Sequence, residues 1–322
     1  MKTKKIKNSI LLILTAFIWG VAFVAQSEGG DAVGPYTFNS VRMILGGTAL
    51  LPVILLMDRL RPSLKRPQTA QQQKELFLGG ISCGVLLFAG STLQQMGLFL
   101  GTQAGKAGFL TACYILMVPL IGIFLHKKCG WNVWIGVVLA LAGLYLLCIK
   151  DSFTLQLSDG LVLLCAVAFS LHILVVDHFA PKVDGVRMSC IQFFTCGIVG
   201  IVPMIFAEMG GSMESLHQWA RGFASLDAWI PILYAGLFSC GIAYTLQIFG
   251  QEGLNPTVAS LLMSLESVFS VLAGWLILKE TLSAKELWGC VFLFVAILLA
   301  QVDFGRKIKQ ERLVKNGIDE VQ

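Results

Sequence analysis

The sequence predicts an all-α, polytopic membrane protein of ten transmembrane helices arranged as two inverted five-helix repeats. Three observations predict it. Of the 322 residues, 56% are hydrophobic and only 13% charged, whereas a soluble domain carries about 25% charged residues. The apolar residues gather into ten blocks of spanning length. The second half of the chain echoes the first in order and spacing.

A spanning helix needs about 20 mainly apolar residues. The ten blocks are 8–26, 38–57, 76–98, 105–125, 132–149, 160–177, 188–208, 228–250, 256–278 and 285–303. The opening MKTKKIKNSILLILTAFIWGVAFVA is similar to a secretory leader. Its apolar run is too long for one, and no small-x-small cleavage site follows, so it reads as an uncleaved first span. The longest connections, 58–75 and 209–227, are too short for a soluble domain. Lysine and arginine then orient the chain. With the N-terminus in the cytoplasm, the inner segments hold 18 Lys and Arg and the outer segments hold 5, with Arg42 counted in neither. Both termini are therefore expected in the cytoplasm, and the protein in the cytoplasmic membrane.

The repeat is read from LQQMG (93–97) against LQIFG (246–250), an offset of 153. The same offset pairs Val118 with Val271, Leu125 with Leu278 and Gly136 with Gly289; an offset of 150 pairs Ala16 with Ala166 and Trp19 with Phe169. Five spans is an odd number, so the second unit lies upside down relative to the first. The expected units are 8–149 and 160–303, followed by a basic cytoplasmic tail, 304–322. Inverted repeats are the architecture of many secondary transporters, with the substrate held near the midplane between the halves.

Further motifs bear on family. They are FIWGVAF in span 1, FNSVRMILGG in span 2, GKAGFLTACYILMVPL in span 4, and LLMSLESVFSVLAGWLILKETLSAKELWG across spans 9 and 10. In these the chain resembles the EamA-type drug/metabolite transporters over nearly its whole length. The family pattern of Glu-Pro, about a dozen residues, then Gly-Glu reads here Glu266-Ser267 and Lys279-Glu280. The missing proline weakens the expectation of a helix break at that point. The resemblance implies export or exchange of small metabolites, amino acids or drugs. It also implies a central cavity among spans 1–4 and 6–9, with spans 5 and 10 peripheral.

Five residues are candidates for substrate binding or coupling. Glu266 lies about 15 Å into span 9 at about 1.5 Å per residue. An ionised acid there costs about 2.5–3.5 kcal/mol on insertion scales and should face a cavity or the bundle interior. It either binds a cationic group, exchanges a proton, or ties two helices together. Its repeat mate is Cys113, so the scaffold does not require an acid there. Trp19, Tyr114 and His172 are also central: Trp19 and Tyr114 as an aromatic wall or as packing, His172 as a proton shuttle or an interhelical hydrogen bond. Arg42, about 6 Å below the outer end of span 2, either receives a carboxylate or snorkels to the headgroups. Ser260, Ser264, Ser267 and Gly274 form a small-residue packing stripe on span 9. Gln94 and Gln247, repeat mates, read as interhelical hydrogen bonds.

Enzyme readings are set aside. GTQAGKAG (101–108) has three residues between Gly101 and Gly105 where a phosphate loop has four, and Ala107 stands where Mg²⁺ needs a hydroxyl. His172 and Asp177 have an acyltransferase-like spacing, but they run along an apolar span. The nine cysteines form no CxxC pair or zinc spacing and read as small buried apolar residues. The expected partners are a small-molecule substrate and the lipid bilayer, with proton or ion coupling and oligomerisation left open; no cofactor, metal or nucleic acid is expected. The reading is a secondary transporter working by alternating access, with a non-transporting scaffold or receptor, or a membrane-embedded transferase, as the alternatives.

Overall fold

A computed structural model describes residues 2–60, 66–102, 104–127, 129–149, 156–277 and 283–301. The predicted tail 304–322 and the Lys279-Glu280 pair lie outside the described residues, as do Arg61, Lys65, Lys128 and Lys150 of the orientation argument. Among the described residues the chain is helical throughout, with no strand. The helices are α1 (Lys2–Val33), α2 (Pro35–Leu60), α3 (Ala70–Phe99), α4 (Ala104–Ala112), α5 (Tyr114–Phe124), α6 (Trp131–Cys148) and α7 (Leu157–Phe179). They continue as α8 (Gly185–Pro203), α9 (Met213–Arg221), α10 (Leu226–Leu233), α11 (Thr245–Gln251), α12 (Pro256–Met263), α13 (Glu266–Ile277) and α14 (Ala284–Gln301).

Among the described residues, seven segments are long and apolar enough to cross a membrane: Lys4–Phe23, Pro35–Leu60, Ala70–Phe99, Lys106–Phe124, Leu157–Phe179, Gly185–Met209 and Leu226–Gln251. Trp131–Leu147 and Pro256–Leu272 are apolar but shorter. The first of these reaches only about 26 Å at 1.5 Å per residue.

Four of the predicted spans are not simple α-helices. Span 4 breaks at Cys113, between α4 and α5, and span 9 breaks at Ser264-Leu265, between α12 and α13. Both breaks are made the same way, by tightened turns. Cys113 N–H donates to Leu110 C=O and Leu116 N–H to Cys113 C=O; Leu265 N–H donates to Leu262 C=O and Ser267 N–H to Ser264 C=O. A three-residue turn of this kind shifts the face of everything beyond it, so the missing proline did not prevent a break. Span 8 carries a wide π-helical stretch, Tyr234–Tyr244, between α10 and α11. A shorter one, Met204–Met209, ends span 7.

Glycines set the closest helix contacts. Along α3, Gly80 and Gly84 lie against Ile191 and Thr195 of α8, while Gly90 and Gly97 lie against Phe169 and Val162 of α7. In a membrane, where lipid is as apolar as leucine, such close backbone approach replaces the hydrophobic effect as the source of helix association. α6 and α14 form the other tight pair. A Cβ on Gly143 would sit 2.8 Å from the Gly289 carbonyl oxygen, and one on Gly136 would sit 2.9 Å from that of Ala296. Gly143→Leu is therefore expected to push the pair apart and destabilise by about 1–3 kcal/mol. A thermal unfolding midpoint in detergent checks this; an unchanged midpoint would mean the two helices are not in backbone contact.

Polar clasps close the helix ends. Arg187, at the start of α8, grips both carboxylate oxygens of Asp58 at the end of α2, at 2.6 and 2.7 Å. At the other end of the same pair, Glu208 receives the Tyr36 and Thr37 amides, each at 2.7 Å, and the Thr37 hydroxyl at 2.5 Å. A carboxylate at a helix N-terminus meets unsatisfied N–H groups and the positive end of the helix dipole. Gly34 makes room for it: φ is +90°, and a Cβ there would lie 2.7 Å from the Glu208 carboxyl. Asp159 similarly accepts from Thr102 at 3.0 Å and pairs with Lys106, while Asn8 donates to the Glu252 carbonyl at 2.6 Å. Lys285 donates to the Ile149 carbonyl, and Asn132 to that of Leu299, at 2.5 and 3.1 Å.

Candidate functional site

The structure brings all five sequence-predicted site residues to one cavity. Trp19, Arg42, Tyr114, His172 and Glu266 line it from α1, α2, α5, α7 and α13. Its volume is about 50 Å³, room for a few waters at about 10–15 Å³ each. A small metabolite enters only if the helices around the cavity move.

Glu266 opens α13 immediately after the break in span 9. It is 5% exposed, and among the described residues its side chain has one hydrogen-bond partner, the Tyr114 hydroxyl, which donates to Oε1 at 3.3 Å. Tyr114 in turn opens α5, immediately after the break in span 4. The two breaks thus place an acid and a phenol against each other where continuous helices would have turned them differently. The serines of span 9 take the predicted packing role. Ser260, Ser264 and Ser267 are buried, the first two donating to carbonyls of their own helix.

Of the two alternatives open for Arg42, the side chain takes the inward course, away from the headgroups. It is 3% exposed. Its Nε and Nη2 donate to Asn39 Oδ1 at 3.1 and 2.9 Å, and its guanidinium lies 5.3 Å from the centre of the Phe38 ring. Asn39 is itself oriented by donating to Ser91 and Thr92 of α3 at 2.9 and 3.2 Å. No carboxylate pairs with Arg42 among the side chains described. A buried guanidinium without an acid is costly and retains donors in a fork that matches a carboxylate.

Trp19 donates its indole N–H to the Ser239 carbonyl at 3.3 Å and lies 4.6 Å, centre to centre, from Tyr244. His172 is bonded through Nε2 to Gln192 Oε1 of α8 at 3.1 Å and meets Tyr244 edge-on at 6.1 Å. It therefore makes the interhelical bond while also facing the cavity. Asp177, its partner in the transferase reading, is engaged by Lys127 at 2.7 Å instead. Gln94 also bridges helices, donating to Thr111 Oγ1 at 3.0 Å. Gln247 does not: its Oε1 is buried without a partner and it lines the cavity, as does Gln26, whose Oε1 is likewise unpartnered. Sequence reasoning passed over Gln26. Its signal was an amide at the end of the first apolar block, 8–26, a weaker one than the acid within span 9.

A family model described as the EamA-like transporter family matches the chain twice, over residues 7–149 and 156–301. The chain belongs to the EamA-like transporter family. An uncharacterized transporter of Archaeoglobus fulgidus is 25% identical over 300 residues, covering 93% of this EamA-like chain and 87% of its own. The uncharacterized transporter YoaV of Bacillus subtilis is 23% identical over 311 residues, covering 94% and 99%. A solved crystal structure with 18% identity superposes with a TM-score of 0.73 over 92% of this chain and 96% of that one, so the fold is shared. This EamA-like protein is thus a multi-pass membrane protein of a transporter family, not an enzyme, and works on a small solute in a lipid bilayer.

Proposed function

We propose that this chain is a secondary transporter of ten spans that carries a small zwitterionic metabolite of amino-acid type across the cytoplasmic membrane. It works by alternating access, in the direction of export or exchange, with both termini in the cytoplasm. One observation carries the substrate class. Among the described residues, one cavity holds a guanidinium with no acid partner, Arg42, and an acid whose one hydrogen-bond partner is a phenol, Glu266. Arg42 receives the carboxylate of the substrate and Glu266 its ammonium. Trp19, Tyr114 and Tyr244 supply faces for the side chain and for a cation. Glu266, or His172 after it, is the group that would couple transport to protons.

The inverted repeat, with units 8–149 and 160–303, is supported by contacts that recur when the halves are exchanged. Gly143 against Gly289 becomes Gly136 against Ala296 at an offset of 153. The α2–α8 clasps exchange likewise at an offset of 150: Asp58 with Arg187 becomes Glu208 with Thr37. Lys285 to Ile149 becomes Asn132 to Leu299. Such exchange symmetry is what lets one sequence build two opposite-facing states of similar energy.

The test uses purified protein and three versions of one neutral amino acid: the free zwitterion, its methyl ester, and its N-acetyl form. A ligand that binds only the folded state raises the unfolding midpoint. The zwitterion is expected to raise it and to drive counterflow in liposomes, and neither derivative to do so. An ester as effective as the zwitterion would exclude Arg42 as a carboxylate receptor.

A further inference from the structure

One hydrogen bond of the first half has matching residue types in the second half but is not made there. Gln94 Nε2 donates to Thr111 Oγ1 at 3.0 Å, joining α3 to α4 two residues before the break at Cys113. At the offset of 153, Gln94 becomes Gln247 and Thr111 becomes Ser264. The types match: an amide donor, and a hydroxyl at the end of the first segment of a broken span. Yet the second bond is not made. Among the described residues Gln247 has no hydrogen-bond partner, and it faces the cavity. Ser264 Oγ donates to the Leu261 carbonyl at 2.8 Å and keeps its lone pairs for another donor.

We propose that Gln247 Nε2 and Ser264 Oγ form this bond in the opposite-facing state, when the Gln94–Thr111 bond opens. The pair then works as an exchange of one hydrogen bond between the two ends of the cavity. The inference rests on the alternating-access reading above. Three observations carry it beyond that reading. The hydroxyls sit beside the two breaks, where tight turns already replace regular helix bonds and rotation of one segment against the next disturbs least. The first bond spans α3 and α4; the second would span α11 and α12, the segments that occupy the same places after exchange. And the Gln247 side chain is held by nothing among the described residues: no bond engages its Nε2, which is left to donate, and its Oε1 is buried without a partner. Gln247 is a positioning residue here: it touches the cavity, but acts by holding span 8 to span 9.

The experiment follows amide hydrogen exchange in nanodiscs at the two loops, 97–102 and 250–255, in wild type, Thr111→Val, Ser264→Ala and Gln247→Leu. Ser264→Ala and Gln247→Leu remove the bond of the opposite state. They are expected to slow exchange at 97–102 and speed it at 250–255. Thr111→Val is expected to do the reverse, and Gln247→Asn to fall between Gln247→Leu and wild type. If Thr111→Val and Gln247→Leu move the loops in the same direction, or Gln247→Leu moves neither, the bond exchange is wrong. If saturating the wild type with the transported zwitterion changes the two loops in opposite senses while Gln247→Leu changes nothing, the pair fails and alternating access stands. If the wild type never shows opposite changes, alternating access fails with it.

Discussion

Glu266→Gln is expected to give a folded protein whose transport falls by one to two orders of magnitude. Glutamine has the volume of glutamate and keeps an oxygen for the Tyr114 hydroxyl at 3.3 Å, so the contact between α5 and α13 survives. What it loses is the charge that meets the substrate ammonium. A hydrogen bond to a charged group is worth about 1.5–3 kcal/mol, which corresponds to about a 10–100-fold change in rate or affinity. Counterflow into liposomes measures it, with the unfolding midpoint as the control for folding. The same assay run across pH separates two roles. If Glu266 also carries a coupled proton, the pH dependence seen in the wild type disappears in the variant. A dependence that persists assigns coupling to another group, His172 first. Full flux in Glu266→Gln would remove the acid from the mechanism.

The features legible in the sequence were those in which one residue type is costly or one pattern is long. Glu266 and Arg42 stood out because a charge in an apolar block needs a reason. Trp19, Tyr114 and His172 were picked for depth alone. Depth sufficed because helices of similar length, packed side by side, bring residues of similar depth to one layer. The ends of the helices were also close to where the apolar blocks stop, since Gly34 and Gly253 turn the chain with positive φ. What could not be read is what tertiary packing decides. The breaks at Cys113 and Ser264-Leu265 have no proline or glycine at the seam. They exist because the segments on either side meet different neighbours. The wide turns of Tyr234–Tyr244 accompany a close crossing in which Gly46 of α2 lies against Cys240; no local pattern announces that. Gln94 and Gln247 are indistinguishable in sequence and differ only in whether a hydroxyl has reached the amide.

The inward turn of Arg42 has the same origin and leads to a second large expected effect. Seven residues from the start of α2, an arginine in isolation would extend its side chain to the headgroups. Here Asn39, one turn earlier, turns the guanidinium inward, and Ser91 and Thr92 hold Asn39 in place. The fold therefore spends stability to keep a cation beside the cavity. Arg42→Met is expected to lower transport by one to two orders of magnitude, for the reason given for Glu266, while the unfolding midpoint stays level or rises. Methionine has the length to fill the space of the arginine stem. Removing an unpaired buried charge relieves a penalty of several kcal/mol, against which stand one orphaned Asn39 oxygen at about 1–3 kcal/mol and a cation–π contact of about 0.5–2 kcal/mol. Arg42→Lys keeps the charge and loses the fork, so transport is expected between that of the wild type and the methionine variant. A function-only residue and a structural one part here. Loss of flux with no loss of stability marks Arg42 as the carboxylate receptor. A lowered midpoint with flux retained marks it as a strut between α2 and α3, and leaves the cavity selective for cations through Glu266 alone.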